Sequence, residues 1–181
     1  MLSSTVFLAV LAAVVSSTIA SFPGSSFGIA YNTTSTAIPT TGHLGTFQAE
    51  GSSPVFLTAL VDGPNDLGGF FSVSGPNGFL NEACGVNGLA TLIPANPVIG
   101  MKYALGWSKA PLSSLPTGSF QDGFQLGPAP TFDTIINTKL GEGSWAVIKD
   151  LNSGSFIVGW SDDADRLPIT LVKTDPSNIQ C

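Results

Sequence analysis

The sequence predicts a single all-β domain, an antiparallel β-sandwich or barrel of about nine to eleven short strands. Short apolar runs recur along the chain and are separated by turn-forming residues. Of 181 residues, 21 are glycine and 13 are proline, and they follow no fixed period, which argues against a collagen-like chain. Helical periodicity of useful length occurs only near the N-terminus. A chain of this length is expected to form one domain.

Residues 1–20 are predicted to be a signal peptide. Val6–Val15 is an apolar run with the length of a signal-peptide core, and it is too short to span a bilayer. Small residues at Thr18 and Ala20 suit a signal peptidase, so cleavage is expected after Ala20. The run has no Lys or Arg before it, and the alternative is a buried N-terminal strand or helix. We therefore expect a secreted protein, extracellular or in the cell wall, with no membrane partner.

Residues 21–42 are predicted to be a Ser/Thr-rich segment that precedes a β-sandwich domain at 43–181. Asn32-Thr33-Thr34 is an N-glycosylation sequon, so Asn32 is the predicted acceptor. The alternative is a mobile, solvated segment without modification.

Apolar and β-branched runs place the strands in order. They are predicted at 45–49, 55–61, 69–73, 79–80, 89–93, 101–108, 131–136, 145–148, 156–160 and 169–172. The last three should form a meander, because Asp150–Gly154 is typical of a hairpin turn. Tyr103–Ser108 and Phe156–Ser161 both end in Gly-Trp-Ser. We interpret this similarity as equivalent strands in two packed sheets.

The charge of the chain argues against nucleic acid as a partner. The formal net charge is −6, and the six basic residues are scattered along the sequence. Phosphate binding requires clustered basic side chains. The same argument disfavours electrostatic docking to an anionic membrane.

The two cysteines, Cys84 and Cys181, are predicted to form a disulfide in an oxidising compartment. A loop of this length would stabilise the fold by roughly 4–5 kcal/mol in the chain-entropy model. Two free thiols, or an intermolecular bridge, are the alternative.

No cofactor is expected, and catalysis has few candidate residues. A nucleophilic site would need the single histidine, His43. Zinc or copper would need several His or Cys ligands. Asp162, Asp163 and Asp165 could bind Ca²⁺ through their carboxylates, but the run lacks the glycine and distal glutamate of an EF-hand. A solvated turn with Arg166 as a partner is favoured.

Two site hypotheses remain. An acid-range glycan hydrolase would need two facing carboxyl groups, and the glutamates are Glu50, Glu82 and Glu142. A carbohydrate-binding site would need an exposed aromatic ring. Alternation places Trp107 and Trp160 in the core. Trp145 shares its strand face with Val147 and Lys149 and is left as the ligand-binding candidate, although core packing is the favoured alternative for it as well.

Three pieces of the chain loosely resemble a family of small secreted fungal cell-wall proteins associated with phialide development. Gly51–Leu57 is similar to the family's Ser-x-Ser-Pro-x-His-Leu strand, with Phe56 in place of His. Lys102–Gly118 followed by Phe124, and Gly143–Val147 with Gly159-Trp160, are similar to later family segments. The resemblance implies an extracellular or wall-associated, non-catalytic protein.

We therefore predict a secreted structural or interaction protein of the cell wall or cell surface that is not an enzyme. Its expected partners are wall polysaccharide or other wall proteins. A carbohydrate-binding module is the first alternative and the glycan hydrolase the second.

Overall fold

A computed structural model describes residues 27–48, 54–62, 71–82, 88–95, 100–130, 132–151, 153–163 and 165–175. The predicted signal peptide, Glu50, Cys84 and Cys181 lie outside these residues. The signal peptide and the disulfide therefore stay predictions.

The described residues contain thirteen strands, one 3-10 turn at Leu112–Ser114 and no α-helix. The strands are β1 Gly28–Asn32, β2 Thr41–Gln48, β3 Phe56–Val61, β4 Phe71–Ser74, β5 Phe79–Glu82, β6 Leu89–Pro94, β7 Tyr103–Ser108, β8 Phe124–Leu126, β9 Ile135–Asn137, β10 Ser144–Lys149, β11 Phe156–Ser161, β12 Leu167–Pro168 and β13 Thr170–Thr174.

Eleven strands form one curled antiparallel sheet, which confirms the all-β prediction. The strand order is β13-β1-β2-β3-β11-β7-β6-β5-β4. β10 branches from β11, and β12 pairs with β10. The sheet has the form of a half-barrel, and β8 and β9 make a small second sheet. The hairpin predicted around Asp150–Gly154 is present as β10 and β11, in which Trp145 pairs with Trp160. The third strand of the predicted meander, β13, pairs with β1 and not with β11, so that part of the prediction is wrong.

The curled sheet has a three-way junction where β3, β7 and β11 meet. Along one of its edges, each of these strands pairs with both of the other two, through different residues. Three branches of the sheet therefore start from one point. The pairs at the junction are Phe56–Trp107 and Leu57–Gly106, Ala59–Ile157, and Ala104–Gly159 with Tyr103–Trp160.

Small residues allow the backbones at this junction to approach closely. Ala59, Ala104 and both glycines are buried. A Cβ atom on Gly159 would overlap the main-chain oxygen of Tyr103, and one on Gly106 would lie 3.1 Å from the main-chain oxygen of Phe56. The repeated Gly-Trp-Ser therefore marks two neighbouring strands of one sheet. The interpretation as equivalent strands in two packed sheets is wrong.

The hydrophobic core lies between the curled sheet and the small β8–β9 sheet. Phe124 of β8 and Ile135 of β9 are fully buried and belong to the same apolar cluster as Trp107. The indole Nε1–H of Trp107 donates to the Thr58 hydroxyl at 2.9 Å, which satisfies the one polar group of that ring.

The sheet begins earlier in the chain than the sequence predicted. β1 lies within the segment 21–42, which was expected to precede the domain, and that expectation is wrong. β1 pairs with β13 over its full length and with β2 at its C-terminal end. Its inward side chains, Ile29 and Tyr31, are each 2% exposed. Just before it, Phe27 forms an isolated bridge with Phe71 of β4, the last strand at the opposite end of the strand order.

Candidate functional site at Asn32

A shallow cleft of about 290 Å³ opens where β1 ends. One wall is the start of the β1–β2 loop, and the other is the passage from β12 to β13. The first residue of β10 lines it as well. The lining residues are Asn32, Thr33, Thr34, Ser144, Pro168, Ile169 and Thr170. The predicted glycosylation sequon therefore forms one complete wall of the cleft.

Strand register places Asn32 on the outer face of the sheet. Asn32 pairs with Thr170 of β13 on one side and with Thr41 of β2 on the other. The preceding pair, Tyr31 and Leu171, is buried in the core. Because successive side chains on a strand point to opposite faces, Asn32, Thr41 and Thr170 point outward. All three are exposed.

Hydrogen bonds fix the loop that carries the sequon. The Thr33 hydroxyl donates to the main-chain oxygen of Pro168 at 2.5 Å, which ties the two walls of the cleft together. The Thr33 N–H donates to Thr40 at 2.8 Å and closes the loop. The Ser35 N–H donates to the Thr33 hydroxyl at 3.0 Å, an arrangement typical of Ser/Thr turns. The cleft is therefore a preformed feature of this surface.

The described lining of the cleft carries hydroxyl and amide groups and no charged side chain. Thr34, Ser144 and Thr170 are exposed, and Pro168 adds an exposed apolar ring. Convergent polar groups beside an apolar surface suit a neutral ligand that has both hydroxyl groups and C–H faces. A sugar has that chemistry.

Tyr31 supports this region from the inside of the sheet. Its ring lies against Gly42, where a side chain would clash: a Cβ on Gly42 would be 2.8 Å from the Tyr31 hydroxyl. Burial, and then the negative charge of Asp62, raises the pKa of Tyr31 above its ordinary value.

Trp145 is buried in the core, as the favoured alternative had it, and the hypothesis that its ring is partly exposed and binds a ligand is wrong. The side chain is 5% exposed, and its Nε1–H donates to the main-chain oxygen of Ile135 at 2.8 Å. Its ring packs edge-on against Trp160, with centroids 5.4 Å apart. Trp160 is the more exposed ring of the two. Trp145 shares its face with Val147, which points into the core, and only Lys149 at the strand end reaches solvent. Trp145 has no free face on which a sugar could stack.

Asp162, Asp163 and Asp165 form the turn that the sequence favoured. The Asp163 carboxylate accepts a hydrogen bond from the Asp165 N–H at 3.0 Å and lies 3.3 Å from Nε of Arg166. The Asp163 N–H donates to the Ser161 hydroxyl at 3.0 Å. Among the described residues, no group of three His, Cys, Asp or Glu side chains is placed to hold a metal ion.

The other candidate residues are dispersed, and none lines the cleft. His43 is exposed on β2, opposite Ala30 and Val61. Glu82 is buried at the end of β5, and Glu142 is exposed in the turn before β10. Because β5 and β10 belong to different branches of the sheet, the topology does not bring these two glutamates together.

Sequence reasoning found Asn32 but missed the residues that face it. Thr170 and Pro168 lie roughly 140 residues away in the chain and reach the sequon only through the β1–β13 register. Thr170 carried one signal, its position as the one polar residue within the predicted apolar strand at 169–172.

Comparison of the chain with protein-family models, with curated proteins and with solved structures found no match. Within the part of the chain that the structure describes, no helix is long and apolar enough to cross a membrane. The resemblance to the fungal wall family therefore stays a prediction from its short motifs.

Proposed function

We propose that this chain is a secreted, non-catalytic structural or interaction protein of the cell wall or cell surface. The observation that carries the proposal is the neutral cleft at Asn32. The leader-like residues 1–20 and the loose family resemblance point to the same surroundings. Wall polysaccharide or other wall proteins are the proposed partners.

The outer face around the cleft suits a polysaccharide-rich environment. Asn32, Thr41 and Thr170 form a row of neutral polar groups across three neighbouring strands. Such groups exchange hydrogen bonds with sugar hydroxyls and place no fixed charge against a neutral polymer. The sheet below them is packed and hydrogen-bonded, so the row keeps its geometry.

Cell fractionation tests this proposal. The full chain, with its own leader, is expressed in a filamentous fungus, and the cytosol, medium and extracted wall are assayed by immunoblot. We expect the protein in the wall fraction. The Leu11→Arg substitution interrupts the apolar run of the leader, so we expect the variant protein to remain inside the cell. Cytosolic localisation of the chain with its intact leader would contradict secretion, and recovery from the medium alone would contradict wall association.

A carbohydrate-binding module is the second candidate, because the cleft combines hydroxyl groups with an exposed apolar ring. Its described lining has no aromatic residue, so the ring of Pro168 would take the place of the aromatic ring expected for such a site. Pull-down with insoluble chitin or β-1,3-glucan tests it. Thr170→Asp places a charge in the cleft and should reduce the retained protein at least tenfold if the cleft binds the polymer. Thr174→Asp is the matched control on the same strand, since Thr174 is exposed outside the cleft. Equal retention of both variants would exclude the cleft as the binding site.

A further inference from the structure

We infer that the cleft at Asn32 is the seat of the protein's own N-linked glycan, with the first sugar of that glycan packed between the sequon and β13. The inference rests on the secretion step of the proposed function, because N-glycans are added only to chains that enter the secretory pathway. The occupant of the cleft is then the first sugar of the glycan, which is attached to Asn32 in the cleft wall.

The position of Asn32 directs the glycan into the cleft. Its side chain is exposed and lies directly between Thr41 and Thr170, whose Cβ atoms are expected about 4.5–5.5 Å from its own in an antiparallel ladder. A sugar linked to the Asn32 amide nitrogen therefore starts within contact distance of Thr170. Covalent attachment gives that sugar a high effective concentration at the site, so weak contacts are sufficient to seat it.

The size of the cleft limits what it can hold. Its volume of about 290 Å³ lies just below the range for small-molecule pockets, about 300–1,000 Å³. It therefore accommodates one or two sugar rings, and the remaining glycan must extend into solvent.

The lining matches the chemistry of an N-acetylglucosamine ring. Thr34, Ser144 and Thr170 present exposed hydroxyl groups that can donate to and accept from sugar hydroxyls and the acetamido group. Pro168 offers an exposed apolar ring to the C–H face of the sugar. The hydrogen bond between Thr33 and Pro168 holds both walls in place before the sugar arrives, which reduces the entropy lost on packing.

A seated glycan has two consequences. It bridges the end of β1 to the β12–β13 connection and so adds to the stability of that edge. It also occupies the cleft, so a glycosylated chain does not bind a free saccharide there, and the carbohydrate-binding alternative applies only to protein without the glycan.

The first test measures attachment. The full chain is expressed in a eukaryotic secretory host, and the secreted protein is analysed by intact mass. Wild type and Thr34→Ser, which preserves the sequon, should carry the same glycan, and Thr34→Ala should carry none. Secreted wild type without a glycan would overturn the inference and leave the proposed function intact. A chain that never leaves the cell would instead contradict the proposed function.

The second test measures seating by a double-mutant cycle. The glycan is trimmed by an endoglycosidase to its first N-acetylglucosamine, and Tm is compared with that of the same sequence made in the bacterial periplasm, where no N-glycan is added. We expect the sugar to raise Tm by about 2–4 °C, the shift that one net hydrogen bond gives a chain of this size. Thr170→Ala should abolish at least half of this increment. Thr174→Ala, on the same strand but outside the cleft, should keep it. Equal increments in all three backgrounds would show that the sugar does not pack against Thr170.

Discussion

Replacement of Gly159 by alanine tests the close packing at the three-way junction. Gly159 lies in an ordinary strand conformation, so the added methyl group brings no backbone strain of its own. It would, however, overlap the main-chain oxygen of Tyr103, and it would lie 2.6 Å from the Met101 sulfur and 3.2 Å from the Ala104 Cα. The Met101 side chain can move aside, whereas the two backbone atoms cannot move without opening the β7–β11 pairing.

The expected cost follows from this geometry. Overpacking in a well-packed interior destabilises a protein by about 1–3 kcal/mol. Because backbone atoms make the contact, we expect Gly159→Ala to lower the free energy of unfolding by about 3 kcal/mol, near the upper end of this range. For a chain of this size, that corresponds to a fall in Tm of about 6–12 °C.

Urea unfolding followed by tryptophan fluorescence measures this effect. Gly141→Ala is the matched control, because a Cβ there meets nothing within 4 Å and the residue has no left-handed backbone conformation. We expect the control to be neutral or more stable by up to about 1 kcal/mol. If Gly159→Ala unfolds within about 0.5 kcal/mol of wild type, the backbones at the junction are not as closely packed as described, and the reasoning is refuted.

Three further predictions concern buried groups and the cysteines. Thr58→Val leaves the Trp107 Nε1–H without its acceptor in the core and should cost about 1–3 kcal/mol in urea unfolding, whereas Thr58→Ser keeps the hydroxyl and should cost about 1 kcal/mol; equal losses would contradict a role for the hydrogen bond. Burial raises the pKa of Tyr31, so the folded state holds the phenol proton more tightly than the unfolded chain. The resulting stability is fully present below about pH 10 and is lost as pH rises through the folded pKa. The free energy of unfolding in urea, measured between pH 8 and pH 11, should fall less steeply with pH for Tyr31→Phe than for wild type. Parallel curves would show that Tyr31 does not cause the fall. Mass spectrometry of non-reduced peptides should recover Cys84 joined to Cys181, and free thiols on both would disprove the disulfide.

Local sequence signals predicted the closing hairpin well. Asp150–Gly154 combines turn-forming residues, and an apolar run of four or five residues lies on either side. The structure pairs them from Ser144–Ser161 to Lys149–Phe156 without a bulge. Turn chemistry and alternation act over a few residues, so they can be recognised without knowledge of the rest of the fold.

The burial of Trp145 was not predictable in the same way. Alternation correctly grouped Trp145 with Val147 and Lys149, but it could not say which face of β10 meets the core. Lys149 suggested solvent, yet it lies at the exposed end of the strand. The direct pairing of Trp145 with Trp160 places both rings on the inner face, and that register follows only from the assembled hairpin.

β1 was missed although it carried a usable signal. Phe27, Ile29 and Tyr31 alternate as apolar residues, and all three point into the core. The many serines and threonines that follow suggested a solvated segment. Their hydroxyls instead make the side-chain hydrogen bonds of the β1–β2 loop. Composition alone does not distinguish a mobile linker from a loop that is held by Ser/Thr turns.

The pairing of β1 with β13 also affects the order of events during synthesis. Asn32 meets Thr170 only after roughly 140 further residues have been made. At about 5–20 residues per second, this delay lasts about 7–28 seconds. Until then, one edge of β1 has no partner strand, and the sheet cannot close around the N-terminal end of the domain. The Asn32 side chain thus stays accessible on the nascent chain, and the wall that faces it is completed only after Thr170 has been made.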